Sequence, residues 1–227
     1  MELSPAYFQG YLDMRSAAMS KDALLPKEQE LICVALAAAC THIHEPSIRA
    51  HNDAALAAGA SAEEIFEAIG VGYLLGIHSV TGGAPILFEL MEELGISQKP
   101  YQISEKRLEI KEKFVATRGF WPERFTFLLR MDPVFFEAYT DFSSFSSKSK
   151  VLEPKMRELI ICAIDASTTH LHTIGIKVHM RNALKLGATP DQVIQMLELT
   201  SLVGMHGVLS SVPILRQALP QSCAKTK

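Results

Sequence analysis

The chain has 227 residues, 22 basic against 25 acidic side chains for a formal charge of −3, a hydrophobic share of 48% and a mean hydropathy of +0.14. Bases scattered among acids leave no electrostatic footprint for nucleic acid, and the hydropathy suits a globular chain long enough to bury a core. Glu2 and Asp13 interrupt an N-terminus without an apolar run, so it does not read as a secretory signal, and four cysteines with no C-x-x-C or zinc-like spacing fit a reducing cytoplasm.

In chain order the pattern is helical, with little strand-like alternation. Ser4 followed by Pro5 reads as an N-cap and first helical residue, and Pro26 suits the first turn of a second helix, "PKEQELICVALAAACTHIH". That helix is expected to end near Glu45, because the residue before Pro46 avoids the helical region. Pro46 then opens a third helix, which Gly59 stops. Ser61 begins a fourth through a capping box with Glu64. Residues 68–88 are uncharged, but His78, Ser79, Thr81, Gly82, Gly83 and Pro85 argue against a membrane span; they read as two buried helix ends meeting at a turn. Segment 88–131 reads as a connector in which "SEKRLEIKEKF" is a solvated helix and Trp121 packs inward. Beyond it, Asp132 with Pro133, Pro154, Gly187 and Thr189 with Pro190 repeat the earlier signals.

The repetition extends to the residues themselves. An offset of 128, the separation of His42 from His170, lays residues 4–87 onto 132–215 without a gap. "LLPKEQELI" falls on "LEPKMRELI", and "AHNDAALAAGAS" on "VHMRNALKLGAT". This is an internal duplication, dividing the chain into a first repeat 1–97, a connector 98–131 and a second repeat 132–227 with a short tail. The expected fold is all-α, two tandem helical repeats forming one pseudo-symmetric body.

All eight histidines fall at four paired positions: His42/His170, His44/His172, His51/His179 and His78/His206. No cysteine is paired in this way, so the thiols read as small core residues. "THIHEPSIRAH" and "THLHTIGIKVH" each place three histidines at the start of a helix, whose free amides and dipole favour an anion such as a carboxylate. Arg49 and Lys177 supply a cation at matched positions. Three readings stand side by side. The histidines can be satisfied core or cap residues, acid–base catalysts, or ligands of a divalent transition metal, with His42, His44 and His51 joined by Glu30 or Glu45. H-x-H cannot put both rings on one helix face, so a metal needs non-helical backbone at residues 42–44. Glu30 and Glu158 read as helix N-terminal charges paired with a Lys or Arg, or as buried proton relays. Tyr11 and Tyr139 read as core aromatics.

Through "PKEQELICVALAAA" with "HNDAALAAGASAEEIFEAI", and again "PKMRELIICAIDAS" with "HMRNALKLGATPDQVIQML", the chain resembles the carboxymuconolactone decarboxylase and alkylhydroperoxidase D-like family. The resemblance implies an all-helical fold and a symmetric homo-oligomer. Peroxidase members carry C-x-x-C before a histidine similar to His51 or His179. Here His44 and Ser47, or His172 and Gly175, stand at the cysteine positions, so a thiol peroxidase is rejected. The implied branch is the non-redox one, whose namesake decarboxylates a lactone acid.

The leading expectation is a cytoplasmic, cofactor-independent lyase or isomerase acting on a small carboxylate or lactone, with no nucleic-acid or membrane partner. His51 and His179 would transfer protons, with His44, His172, Glu30 and Glu158 assisting. Arg49, Lys177, His78 and His206 would bind the substrate. The alternatives are a metal-dependent enzyme or metal-binding protein using His42, His44 and His51, and a non-catalytic oligomeric assembly protein.

Overall fold

A computed structural model describes residues 4–97, 104–119 and 121–219; the boundary expected at residue 98, Cys223 and the end of the tail lie outside these. The helices are α1 (Pro5–Met19), α2 (Pro26–Ala38), α3 (Glu45–Ala57), α4 (Ala62–Gly70), α5 (Ile77–Glu93), α6 (Glu105–Arg118), α7 (Arg124–Met131), α8 (Pro133–Ser143), α9 (Phe145–Ser149), α10 (Pro154–Ala166), α11 (Thr173–Lys185), α12 (Pro190–Ser201) and α13 (His206–Ala218). No strand occurs among the described residues.

Local chemistry sets most boundaries. Proline stands in the first turn of α1, α2, α3, α8, α10 and α12, where its missing N–H has no intrahelical partner to lose. Ser61 and Glu64 close their capping box at 3.1 and 2.8 Å, and Thr189 and Gln192 do the same at 3.1 and 3.2 Å. Gly59 and Gly187 follow α3 and α11 at φ +88° and +91°, the left-handed conformation that ends a helix and favours glycine. Residues 68–88 depart from the expected turn. A 3₁₀ segment, Val71–Gly76, follows α4, and α5 accommodates Pro85 within it.

The packing units cut across the sequence repeats. One unit gathers Met1–Gly72 with Val151–Lys227, and the other holds Tyr73–Lys150. In the first unit, α2 and α10, the equivalent apolar helices of the two repeats, pack together and each carries its own partner, α3 or α11. Both are buried along most of their length, with Ile32, Val34, Leu159 and Ile160 fully enclosed. Burying side chains of this size stabilises by about 1.5–3 kcal/mol each. α12 lies against α1, α2 and α10. Its buried Gln195 accepts the Leu24 amide at 2.8 Å and donates to the carbonyls of Ala18 and Lys21, fixing the α1–α2 turn and thereby the position of α1.

The second unit has its own interior. Ile77, Ile110, Phe114, Phe125, Leu128, Leu129 and Phe136 form one cluster, with Trp121 edge-on to Phe114 and Phe136. The segment read as a connector therefore supplies much of a core, while the outer face of α6 is solvated as expected and pairs Lys113 with Asp141. By length and composition alone, the helical runs Ala62–Glu93 and Pro190–Ala218 are apolar enough to cross a membrane; the second is half-buried in its unit, as a core helix is.

Candidate functional site

The second helix stops seven residues earlier than the sequence suggests. α2 ends at Ala38, and residues 39–44 form a non-helical bend in which the His44 amide reaches back to the Ala37 carbonyl at 2.8 Å. Ile43 sits at φ +38° and its repeat partner Leu171 at φ +47°. Left-handed backbone at a side-chain-bearing residue is strained by about 1–3 kcal/mol. The bend brings together two rings that a helix would splay apart: those of His42 and His44 lie 6.2 Å apart with planes 27° from parallel.

A third ring comes from the other repeat. His206, the first residue of α13, stacks on His44 at 4.4 Å and on His42 at 4.9 Å. A continuous hydrogen-bonded chain results. His42 Nε2 meets His206 Nδ1 at 2.6 Å, His206 Nε2 meets Ser47 Oγ at 3.0 Å, Ser47 Oγ meets His44 Nδ1 at 2.8 Å, and His44 Nε2 meets Ser210 Oγ at 3.0 Å. His44 also accepts the Ser47 amide at 3.3 Å, so its ring occupies the helix N-terminus where a carboxylate was expected. The metal set His42, His44 and His51 is not assembled: near-parallel stacked rings do not aim their lone pairs at one point, and both His44 nitrogens already have partners.

Burial pushes His42 and His44 below the ordinary histidine value. His206 is pushed down to about 4, first by burial and then by His44, His42 and His51. At neutral pH the cluster is therefore uncharged, a relay of neutral donors and acceptors. The sign of its linkage follows. An imidazole held at about 4 in the fold, against 6.5 ordinarily, takes its proton more readily in the unfolded chain. Stability is thus flat above about pH 7 and falls as pH drops from 6.5 towards 4. Thermal melts across that window should show the fall in the wild type and a shallower one in His206→Asn.

Glu30 and His51 form the second element. Glu30 on α2 accepts from His51 Nδ1 on α3 at 2.7 Å, so histidine, rather than the Lys or Arg expected, is its partner. The bond fixes the tautomer and leaves Nε2 as the free nitrogen. His51 faces a cavity of about 20 Å³, room for about one water molecule. Tyr11 and Arg15 of α1, Cys33 of α2 and His206 line it, with Met19, Leu36, Leu199, Leu202 and Val203 as its apolar walls. The cation here is Arg15. Arg49 instead pairs with Glu45 one turn away on the exposed face of α3, and Lys177 stands exposed on α11 beside Arg181 and Lys185. Burial raises the Tyr11 phenol despite Arg15, and pushes the Cys33 thiol up to about 12, which leaves it protonated.

The second repeat keeps the dyad and alters its surroundings. Glu158 accepts from His179 Nδ1 at 2.8 Å and also from Asn182 at 3.1 Å, where the first repeat has Ala54. Burial pushes Glu158 up, but these two bonds outweigh it and hold its carboxyl below the usual range. His172 caps α11 through the Gly175 amide at 3.2 Å. His170 and His172 both approach the buried carboxylate of Asp165, at 3.7 and 3.8 Å. His78, the repeat partner of His206, lies partly buried near the start of α5 in the second unit.

Sequence reasoning missed Arg15, Ser47 and Asp165. Two of them carried a signal: Arg15 faces Ser143 in the duplication, and an aspartate interrupts the apolar run "ELIICAIDAS" where the first copy has Ala37.

The two halves that share this architecture also share a sequence profile. The profile of the carboxymuconolactone decarboxylase family matches residues 5–76 and again 133–214. The chain belongs to the carboxymuconolactone decarboxylase family. The two matches begin at the offset of the duplication, so each repeat is one family unit. The crystal structure of a chain from Burkholderia xenovorans LB400, described provisionally as a gamma-carboxymuconolactone decarboxylase subunit, is similar to this fold with a TM-score of 0.91. The two are 37% identical, and the likeness covers 97% of this chain and 89% of that one. A comparison with curated proteins finds no match. The family's redox branch needs a pair of cysteines, and none is found among the described residues, where Cys33, Cys40 and Cys162 are free.

Proposed function

We propose that this protein is a cofactor-independent lyase or isomerase that acts on a small carboxylate or lactone by histidine acid–base chemistry. The observation that carries this reading is the 2.7 Å Glu30–His51 hydrogen bond, which presents His51 to a small pocket that Arg15 also lines. Glu30 orients the imidazole, so His51 Nε2 can take a proton from substrate and return it. Arg15 binds the anion. In an isomerisation it holds the carboxylate. In a decarboxylation it is better placed on the lactone oxygen, where charge develops, because a guanidinium clamped on the leaving carboxylate stabilises the ground state. In that reaction the C–C bond to the carboxylate breaks and CO₂ leaves. The electron pair passes into the lactone carbonyl as an enolate, and protonated His51 delivers a proton to carbon.

The neutral array of His42, His206, Ser47 and His44 supplies a path for that proton. A cavity of about 20 Å³ holds a substrate larger than water only if lining side chains such as Met19 and Leu36 shift. A hydrogen-bonded polar interior of this kind argues against a merely structural role. The relative's description as a subunit supports an assembly; a homo-oligomer would show in light scattering of the purified chain.

The test is decarboxylation of γ-carboxymuconolactone, together with a thermal-shift screen of small carboxylates. The His51→Ala/His179→Ala double variant should stay folded and lose turnover of every substrate the wild type accepts; unchanged turnover rejects the assignment. Arg15→Gln should raise KM about tenfold or more while the fold persists, as loss of a partner for a buried charge does.

A further inference from the structure

We propose that Asp165, His170 and His172 form a binding site for a divalent transition metal of the zinc or cobalt class in the second repeat. The three come together through the bend after α10. Leu171, at φ +47°, turns the chain between the two histidines so that both rings face back towards Asp165. The Asp165 carboxylate is 1% exposed, and a nitrogen of each ring lies 3.7 or 3.8 Å from its Oδ1. The ligand atoms of all three lie within 4.8 Å of one another.

These separations are longer than a hydrogen bond and close to the spacing that a metal imposes. Tetrahedral zinc with bonds of about 2.0–2.1 Å holds its ligand atoms about 3.3 Å apart, so each histidine nitrogen needs to close on the Asp165 oxygen by only about half an ångström, and the two rings turn towards a common point. Two imidazoles and one carboxylate suit zinc, cobalt or nickel. His172 Nδ1 also accepts the Gly175 amide, so coordination there exchanges a cap hydrogen bond for a metal bond.

The comparison between repeats gives the site its specificity. A Cβ on Gly175 would fall 1.9 Å from Asp165 Oδ2, so the carboxylate occupies space that only glycine leaves. At the equivalent positions the first repeat has Ala37 and Ser47. There the Ser47 hydroxyl bonds both His44 and His206, and no carboxylate is present. The acid and the missing side chain thus occur together in one copy. Duplication produced two histidine bends of the same shape, one filled by a neutral hydroxyl and one by an anion.

The test uses full-length, tag-free protein stripped with a chelator and titrated with Zn²⁺ by calorimetry and with Co²⁺ by visible absorption. One equivalent should bind per chain with roughly micromolar or tighter Kd, and Co²⁺ should give the intense bands of a low-coordinate site. Asp165→Ala should weaken binding about 100-fold. His170→Gln serves in its place if circular dichroism shows that the aspartate variant fails to fold. His42→Ala, in the first repeat, should leave the cobalt spectrum intact. Absence of saturable binding, or equal binding in the wild type and both second-repeat variants, overturns the site. Loss of binding in His42→Ala alone does so too, by moving the metal to the other repeat.

Discussion

His51→Ala lowers turnover of γ-carboxymuconolactone, or of whichever carboxylate the screen selects, by about 10²–10⁴-fold, whereas His179→Ala retains most of it. The two dyads are alike in length, 2.7 against 2.8 Å, and differ in what surrounds them. Asn182 donates to the same Glu158 oxygen that holds His179, so that carboxylate is shared between two donors and its pKa is held down. Glu30 faces Ala54 instead. The cation also differs, since Arg15 of the first repeat corresponds to Ser143 in the second. Steady-state rates of the two single variants, with circular dichroism to show that each is folded, check this directly. Equal losses would mean that the repeats are equivalent and that Arg15 and Asn182 do not matter. Adding Asn182→Ala, which recreates the first-repeat environment around Glu158, should raise any residual His179-dependent activity.

Gly175→Ala destabilises the fold by about 2–3 kcal/mol, near the upper end for an overpacked interior. For a chain of this length that is a fall of roughly 5–10 °C in melting temperature. The new methyl group would lie 1.9 Å from Asp165 Oδ2, 2.5 Å from His172 Nδ1 and 2.7 Å from Asp165 Cγ. Asp165 is buried and cannot swing into solvent, so the α10–α11 bend must open. The first repeat shows the remedy. With Ala37 in place of the aspartate, Ser47 fits at the position of Gly175. Asp165→Ala should therefore rescue Gly175→Ser, and the pair should show a coupling of at least about 1 kcal/mol in a double-mutant cycle. Additive losses would show that the carboxylate and the glycine are independent.

The helices were largely legible in the sequence because their signals are local. Proline in a first turn, Ser61 with Glu64, and Gly59 or Gly187 after an apolar run act within a few residues of the chain. The duplication needed no structure either, and with the histidine pairs it pointed to residues 42–51 and 170–179. The end of α2 was not legible. Proline at 46 limits how far a helix can run, but it does not say that the chain will leave the helix at Ala38 and accept a positive φ at Ile43. That bend is held by packing and by the rings it brings together.

Sequence alone determined the fold class, the twofold repetition and which histidines to watch; spacing along one helix or one turn encodes these. Tertiary structure decided the partners. Glu30 meets His51 from 21 residues away, His206 reaches His42 across 164, and Arg15 enters the cavity on a helix fixed by Gln195. Such contacts depend on how whole helices pack, and no local pattern of apolar and polar residues specifies which distant side chain will fill a given gap. The same reason misplaced the cation. Arg49 is close to His51 in sequence, but two residues along a helix is nearly the opposite face, and its side chain meets Glu45 in solvent, while α1 contributes Arg15 to the pocket that His51 lines.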